Sequence, residues 1–255
     1  MRKVLALSRK SFYQAINSKI FNLFLFFGIG LILFSLLLES LTFTAKLKIV
    51  KDTGLASISV FTALIAVFLS GEAIVGELER KTIYVLFSKP INKLHFLIGN
   101  FIGIAWTTGL AIITTGTIFL IMLFLKHGYF DSKILIALIF MFLETLVIIS
   151  FGIMFSSFSS SILTSVLFCL FFYALGHLNP QLYNLSKLIS DKMLKSTIHF
   201  ICFVLPNLEY FNVREEVVKG NIIGLKYTLK VTGYAFCYIS AMLILSYFLF
   251  RRREL

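Results

Sequence analysis

Six stretches of the chain are apolar over lengths that soluble elements rarely need, each carrying at most one Asp, Glu, Lys or Arg: Ile20 to Leu41, Leu55 to Gly76, Leu97 to Leu125, Ile134 to Phe155, Ser161 to Leu178 and Val231 to Phe250. A helix crossing a bilayer takes about 20 such residues, so the pattern predicts six membrane-spanning helices. Ahead of the first, Val4, Leu5, Leu7, Phe12, Ala15 and Ile16 fall on one half of a helical wheel, with Arg2, Arg9, Lys10, Gln14 and Asn17 on the other. That arrangement predicts a basic amphipathic helix lying at the membrane surface over 1–19. No small-residue cleavage pattern ends the first apolar run, which is therefore expected to be a retained span and not a signal peptide.

Between Leu178 and Val231 the pattern is mixed. The apolar patch Ile198 to Leu205 is too short to cross as a helix, and Pro206-Asn207 follows it. A re-entrant or interfacial element on the outer side is expected here. The resulting fold class is an all-α membrane protein, a single transmembrane domain over 1–255. Its parts are the interfacial helix 1–19, spans one and two 20–76, a cytoplasmic loop 77–96, spans three to five 97–178, the outer segment 179–230, and span six with a basic tail 231–255.

Composition agrees: 58% of the 255 residues are hydrophobic and 14% charged, against roughly 25% charged in soluble domains. Six spans leave little chain for a further catalytic domain. The net charge of +12 reads, in such a chain, as basic flanks and contacts with anionic headgroups and not as a nucleic-acid surface. With the N-terminus inside, the inner flanks hold twelve Lys and Arg, the short outer loops five, and the long segment before the last span the other seven. Both termini are thus expected in the cytoplasm. Cys169, Cys202 and Cys237 show no metal or disulfide spacing and are expected to be small buried apolar residues.

Catalytic residues and metal ligands are expected to be none. Gly71 and Gly76 have the glycine spacing of a phosphate-binding loop, but Glu77-Leu78 stands where Lys and Ser or Thr would be needed. Glu215-Glu216 has the look of the paired acids of intramembrane proteases, but it lies in a polar stretch with no His after it. Glu144, near the middle of the fourth apolar run, is the one candidate intramembrane polar site. A charge there costs at least about 2.5 kcal/mol, so it must face an interior, a cavity or a partner. It is either part of a transport path or interhelical glue bonded to a Ser, Thr or Asn. Thr107, Thr108, Thr114, Thr115, Thr117 and the run Ser156 to Ser161 suit helix packing, as does the Gly99, Gly103 pair.

The loop after the second span carries the most local information. Ile83, Tyr84, Leu86 and Phe87 need something to pack on, the acids Glu77 and Glu79 precede them, and Ser88-Lys89-Pro90 closes the segment. A short amphipathic helix on the inner face is predicted. Glu77, Glu79, Thr82, Ile83, Leu86, Ser88, Lys89, Pro90, Ile91, Asn92 and Lys93 together resemble the pattern of ABC-2 type permease subunits of ABC transporters, including the NosY-like group. In that pattern two spaced acids lead through Gly-Thr into an apolar ladder and a Ser-Lys/Arg-Pro end. Lys81 stands where the family has Gly, and since helix continues more readily through Lys than through Gly, one helix is expected to run on.

The resemblance implies a dimer of this chain with twelve spans, coupled to two copies of a separate ATP-binding subunit that carries ATP and Mg. It also implies a bacterial inner-membrane location, outward transport, and room for an outer or periplasmic partner. No cofactor is implied on this chain. The loop becomes a coupling helix, and the residues it would set against the ATP-binding subunit are Glu77, Glu79, Arg80, Thr82, Ile83, Leu86, Phe87, Lys89 and Pro90. Two other classes stay open: an ion-coupled secondary transporter or channel using Glu144, and a membrane scaffold that transports nothing.

Overall fold

A computed structural model describes residues 2–41, 46–87, 92–128, 131–187, 191–221 and 223–253. Along the chain run α1 (Arg2–Ile16), α2 (Lys19–Leu41), α3 (Lys46–Glu72), α4 (Val75–Glu79), α5 (Thr82–Phe87), α6 (Lys93–His127), α7 (Lys133–Phe158), α8 (Ile162–Ser186) and α9 (Lys192–Val204). A 3-10 turn at Leu208–Phe211 then leads to α10 (Arg214–Lys219) and α11 (Leu225–Arg251). Among the described residues there is no strand. Six helices, α2, α3, α6, α7, α8 and α11, are long and apolar enough to cross a membrane, so the protein is an all-α membrane protein.

The helices overrun the apolar runs that mark them. Helix α3 starts at Lys46, well before Leu55, because Lys51 is neutralised in place: its Nζ lies 2.6 Å from Asp131 Oδ2, with both side chains buried. Helix α8 passes Leu178 and Pro180 to reach Ser186, and α6 has 35 residues, about 52 Å of helix against about 30 Å of hydrocarbon. The patch Ile198 to Leu205 falls at the end of α9, which is 13 residues long and thus about 20 Å, too short to span. It folds back on α8, where Asn179 Nδ2 donates to the carbonyls of Cys202 and Leu205, each at 3.1 Å.

Helices α3 and α7 form the centre, with α2 against α3, α11 against α7, and α6 touching both. The two central helices approach closely: a Cβ at Gly152 would lie 1.8 Å from Ser70 Oγ. At Gly54 the Phe119 ring fills the space a side chain would take. The threonines of α6 bond mainly to carbonyls of their own helix, Thr107 to Gly103 at 3.0 Å and Thr115 to Ala111 at 2.7 Å, as expected for hydroxyls in an apolar setting. The Gly99, Gly103 pair accepts α1, with Leu7, Ser8 and Ser11 seated on it. Helix α1 therefore packs along the first part of α6 through a seam of Leu7, Ser8 and Ala15, while Leu5 of its predicted apolar face stays exposed.

Both chain ends meet at one end of the bundle, where Lys93 Nζ donates to the carbonyl of Arg253 at 3.0 Å and Lys10 reaches Glu77. We call this the terminal end. The opposite, far end holds α9, the 3-10 turn and α10. Of the cysteines, Cys169 is buried as expected, but Cys202 is half-buried and Cys237 exposed.

Candidate functional site

The loop after α3 is an elbow of two short helices and not one continuous helix. Between α4 and α5, Lys81 adopts φ +57°, in the left-handed region. That conformation costs a non-glycine residue about 1–2 kcal/mol, so helix does not run through Lys81, and the glycine of the resembled pattern fits the break. Lys81→Gly is expected to raise stability by about 1 kcal/mol, less what the freer unfolded chain takes back. Thermal unfolding of the purified protein checks this, and a loss of stability would show that the left-handed turn is not what limits this segment.

The elbow is braced from three sides. Ser156 of α7 accepts hydrogen bonds through Oγ from the backbone N–H groups of Ile74 (3.0 Å) and Val75 (3.1 Å), where α3 ends and α4 begins. These donors lie at the helix break and would otherwise be buried without partners. From α1, Lys10 Nζ lies 2.7 Å from Glu77 Oε1, and the Glu77 side chain is 6% exposed. Thr82 Oγ1 also donates to Glu77. With its amide oriented to satisfy both neighbours, Gln14 donates to Glu77 Oε1 at 3.0 Å and accepts from Arg80 Nη1 at 3.3 Å. The third brace is Glu79, whose Oε1 accepts from the N–H of Ile162 at 3.2 Å, the first residue of α8. A carboxylate there meets both an unpaired N–H and the positive end of the helix dipole.

The residues named from sequence therefore divide. Glu77 and Ile83 are turned inward and buried, and Leu86 is half-buried against the core. Glu79, Arg80 and Thr82 are exposed, with Arg80 paired to Glu72. The Phe87 side chain, Lys89 and Pro90 lie outside the described residues. Tyr84, 55% exposed, joins the outward face together with Lys81. Lys10, Gln14 and Ser156 were missed because each reaches the elbow from a distant part of the chain, and no local spacing signals such a contact.

Toward the far end, Glu144 is 3% exposed and bonded to His177 Nε2 at 2.9 Å. Its partner is thus an imidazole and not the Ser, Thr or Asn expected of interhelical glue. The other ring nitrogen of His177, Nδ1, lies 3.3 Å from Glu209 Oε2, so one ring on α8 bridges a carboxylate on α7 and another on the 3-10 turn. A cavity of about 200 Å³ opens beside them, lined also by Ser59, Tyr173 and Arg214. Arg214 in turn sits 2.8 Å from Asp52 of α3. His177 escaped notice because it falls one residue before the end of an apolar run and 33 residues from its partner. Glu215, by contrast, is an exposed helix residue: Lys219, at 2.8 Å, holds its carboxyl below the ordinary range, and Glu216 pairs with Asn221.

A bundle of six bilayer-length helices among the described residues, with a braced and outward-facing elbow at one end and a buried ionisable chain toward the other, defines a multi-pass membrane protein. Residues 5–255 match the sequence model of the ABC-2 family transporter proteins. The chain belongs to that family and is a membrane permease of an ABC transporter, a class that works with an ATP-binding partner. A comparison with curated proteins finds no match.

Proposed function

We propose that this chain is the membrane half of an ATP-driven exporter, pairing with a second copy of itself and with two ATP-binding subunits, and that the α4–α5 elbow is the coupling element. One observation carries the reading: Glu79, Arg80, Lys81, Thr82 and Tyr84 stand exposed on a segment that α1, α7 and α8 hold in place. An exposed aromatic and charged patch on a rigid support suits docking to a protein groove. ATP and Mg then belong to the partner subunit, and closure of the partner on ATP pushes the elbow and, through it, the spans. The terminal end faces the cytoplasm of a bacterium in this reading, with the protein in the inner membrane, in keeping with the basic flanks of the sequence.

Tyr84→Glu combined with Lys81→Glu tests the docking surface, because both side chains are exposed on the outward face of the elbow. The pair is expected to lower ATP turnover by the reconstituted complex, and co-purification of the ATP-binding subunit, at least tenfold, with unchanged membrane insertion. Unaltered turnover and co-purification would sink the assignment. The Glu144–His177 pair supports one other reading, an ion-coupled carrier: substrate flux without ATP, lost in Glu144→Gln, would favour it.

A further inference from the structure

At the far end, the α8–α9 hairpin and α11 enclose a groove of about 810 Å³, within the range of roughly 300–1,000 Å³ typical of small-molecule sites. Its walls are aromatic: Tyr183 on α8, Tyr210 in the 3-10 turn, and Tyr234 and Tyr238 on α11, with His199 and Glu209 between them. Two of the rings are fixed at their tips. The Tyr234 hydroxyl accepts from the N–H of Asn207 at 2.7 Å, and the Tyr238 hydroxyl donates to the carbonyl of Phe203 at 3.4 Å. Tyr234 meets Tyr238 at 4.8 Å between centroids and Tyr210 at 5.6 Å, with interplanar angles of 53° and 79°. The π faces are therefore held at differing angles before any ligand arrives.

Charge sets this groove apart from the rest of the chain. The protein carries a net +12, yet among the described residues lining the groove there is no Lys or Arg, and Glu209 is the single carboxylate. The ammonium of Lys187 sits 4.7 Å from the centroid of the Tyr183 ring, so Tyr210, Tyr234 and Tyr238 supply the faces for a ligand cation. That carboxylate is held by Asn212 Nδ2 at 2.7 Å and backed by His177, with Glu144 behind the ring. The faces of aromatic rings are electronegative and attract cations. Carboxylate and ring faces thus favour the same charge, and the adjoining apolar surface, with Phe203 of α9 83% exposed, suits a hydrocarbon body.

We propose that this groove binds an amphiphilic organic cation, its ammonium or phosphonium centre set against Glu209 and the tyrosine faces and its apolar part along Phe203 and α11. Every residue named in this assignment belongs to one chain. That the bound molecule is also the transported substrate rests on the permease reading above, so binding is measured apart from ATP turnover.

Tetraphenylphosphonium and tetraphenylborate have nearly the same shape and opposite charge, and they separate electrostatic recognition from partition into detergent. Equilibrium dialysis of the full chain in a maltoside detergent, corrected with empty micelles, is expected to show saturable binding of the phosphonium and not of the borate. Glu209→Gln and Tyr210→Ala should each weaken phosphonium binding at least tenfold while the protein elutes as the wild type does. Should either variant fail to fold, Phe203→Ala, which removes the exposed ring set against the apolar part of the ligand, is expected to weaken binding at least threefold. Equal binding of the two ions, or phosphonium binding that none of these substitutions changes, overturns the proposal. A chain that binds no phosphonium yet couples normally to its ATP-binding subunit would overturn the groove assignment and leave the permease reading standing.

Discussion

Gly152→Val is expected to prevent accumulation of folded protein. At this crossing of α7 over α3, even a Cβ would lie 1.8 Å from Ser70 Oγ and 2.5 Å from Ser70 Cβ. The second atom is fixed to the backbone, and the Ser70 backbone carbon is itself 3.2 Å away, so no rotamer change relieves the clash. Overpacking of this kind ordinarily costs about 1–3 kcal/mol. Here the two most buried helices would have to move apart, which places the valine variant at or beyond the top of that range. The contact is reciprocal, so the milder Gly152→Ala should be partly rescued by Ser70→Gly, with non-additive stabilities in the double-mutant cycle. Size-exclusion profiles and thermal unfolding in detergent read this directly. A Gly152→Val protein that folds like the wild type would mean that α3 and α7 are not packed as described.

The second large effect concerns the brace between α1 and the elbow, and its direction is not the intuitive one. Lys10 is 41% exposed on its side chain while Glu77 is 6% exposed. Removing the carboxylate leaves an ammonium that can turn to water; removing the ammonium leaves a charge that cannot. Lys10→Met is therefore expected to be the more damaging change, at about 2–3 kcal/mol for a carboxylate that keeps Thr82 and Gln14 but loses its counter-charge. Glu77→Gln should cost under about 1 kcal/mol, since an amide still bonds Thr82. The double substitution should recover most of the Lys10→Met loss. Hydrogen exchange across 75–87 reads the local stability, and in the proposed complex ATP-driven transport should fall with it. Equal effects of the two single substitutions would show that the pair is not asymmetric in its burial.

These two predictions also mark what sequence patterns could and could not reveal. All six spans and the amphipathic α1 were legible, because bilayer thickness and helical period leave direct traces in residue order. Gly99 and Gly103 signalled a close approach, but not that α1 would be the helix received. The break at Lys81 was hidden, since propensity favours helix more through Lys than through Gly, and the left-handed turn shows only in the backbone. Glu144 was legible as a costly buried acid, whereas its imidazole partner was not, because a contact between α7 and α8 has no fixed sequence interval. The start of α3 was misplaced because the charge of Lys51 is neutralised by a remote partner, Asp131.

One contact joins the two ends of the molecule. Glu79 of the elbow holds the first N–H of α8, and His177 stands fifteen residues further along the same unbroken helix, about 22 Å by helical rise. Pro180 withdraws the backbone donor that the Gly176 carbonyl would accept, so its effect on the rod begins only at the His177 end. If the elbow is the coupling element proposed above, a tilt imposed there is expected to displace the ring that ties Glu144 to Glu209, and with it the mouth of the far-end groove, which shares Glu209.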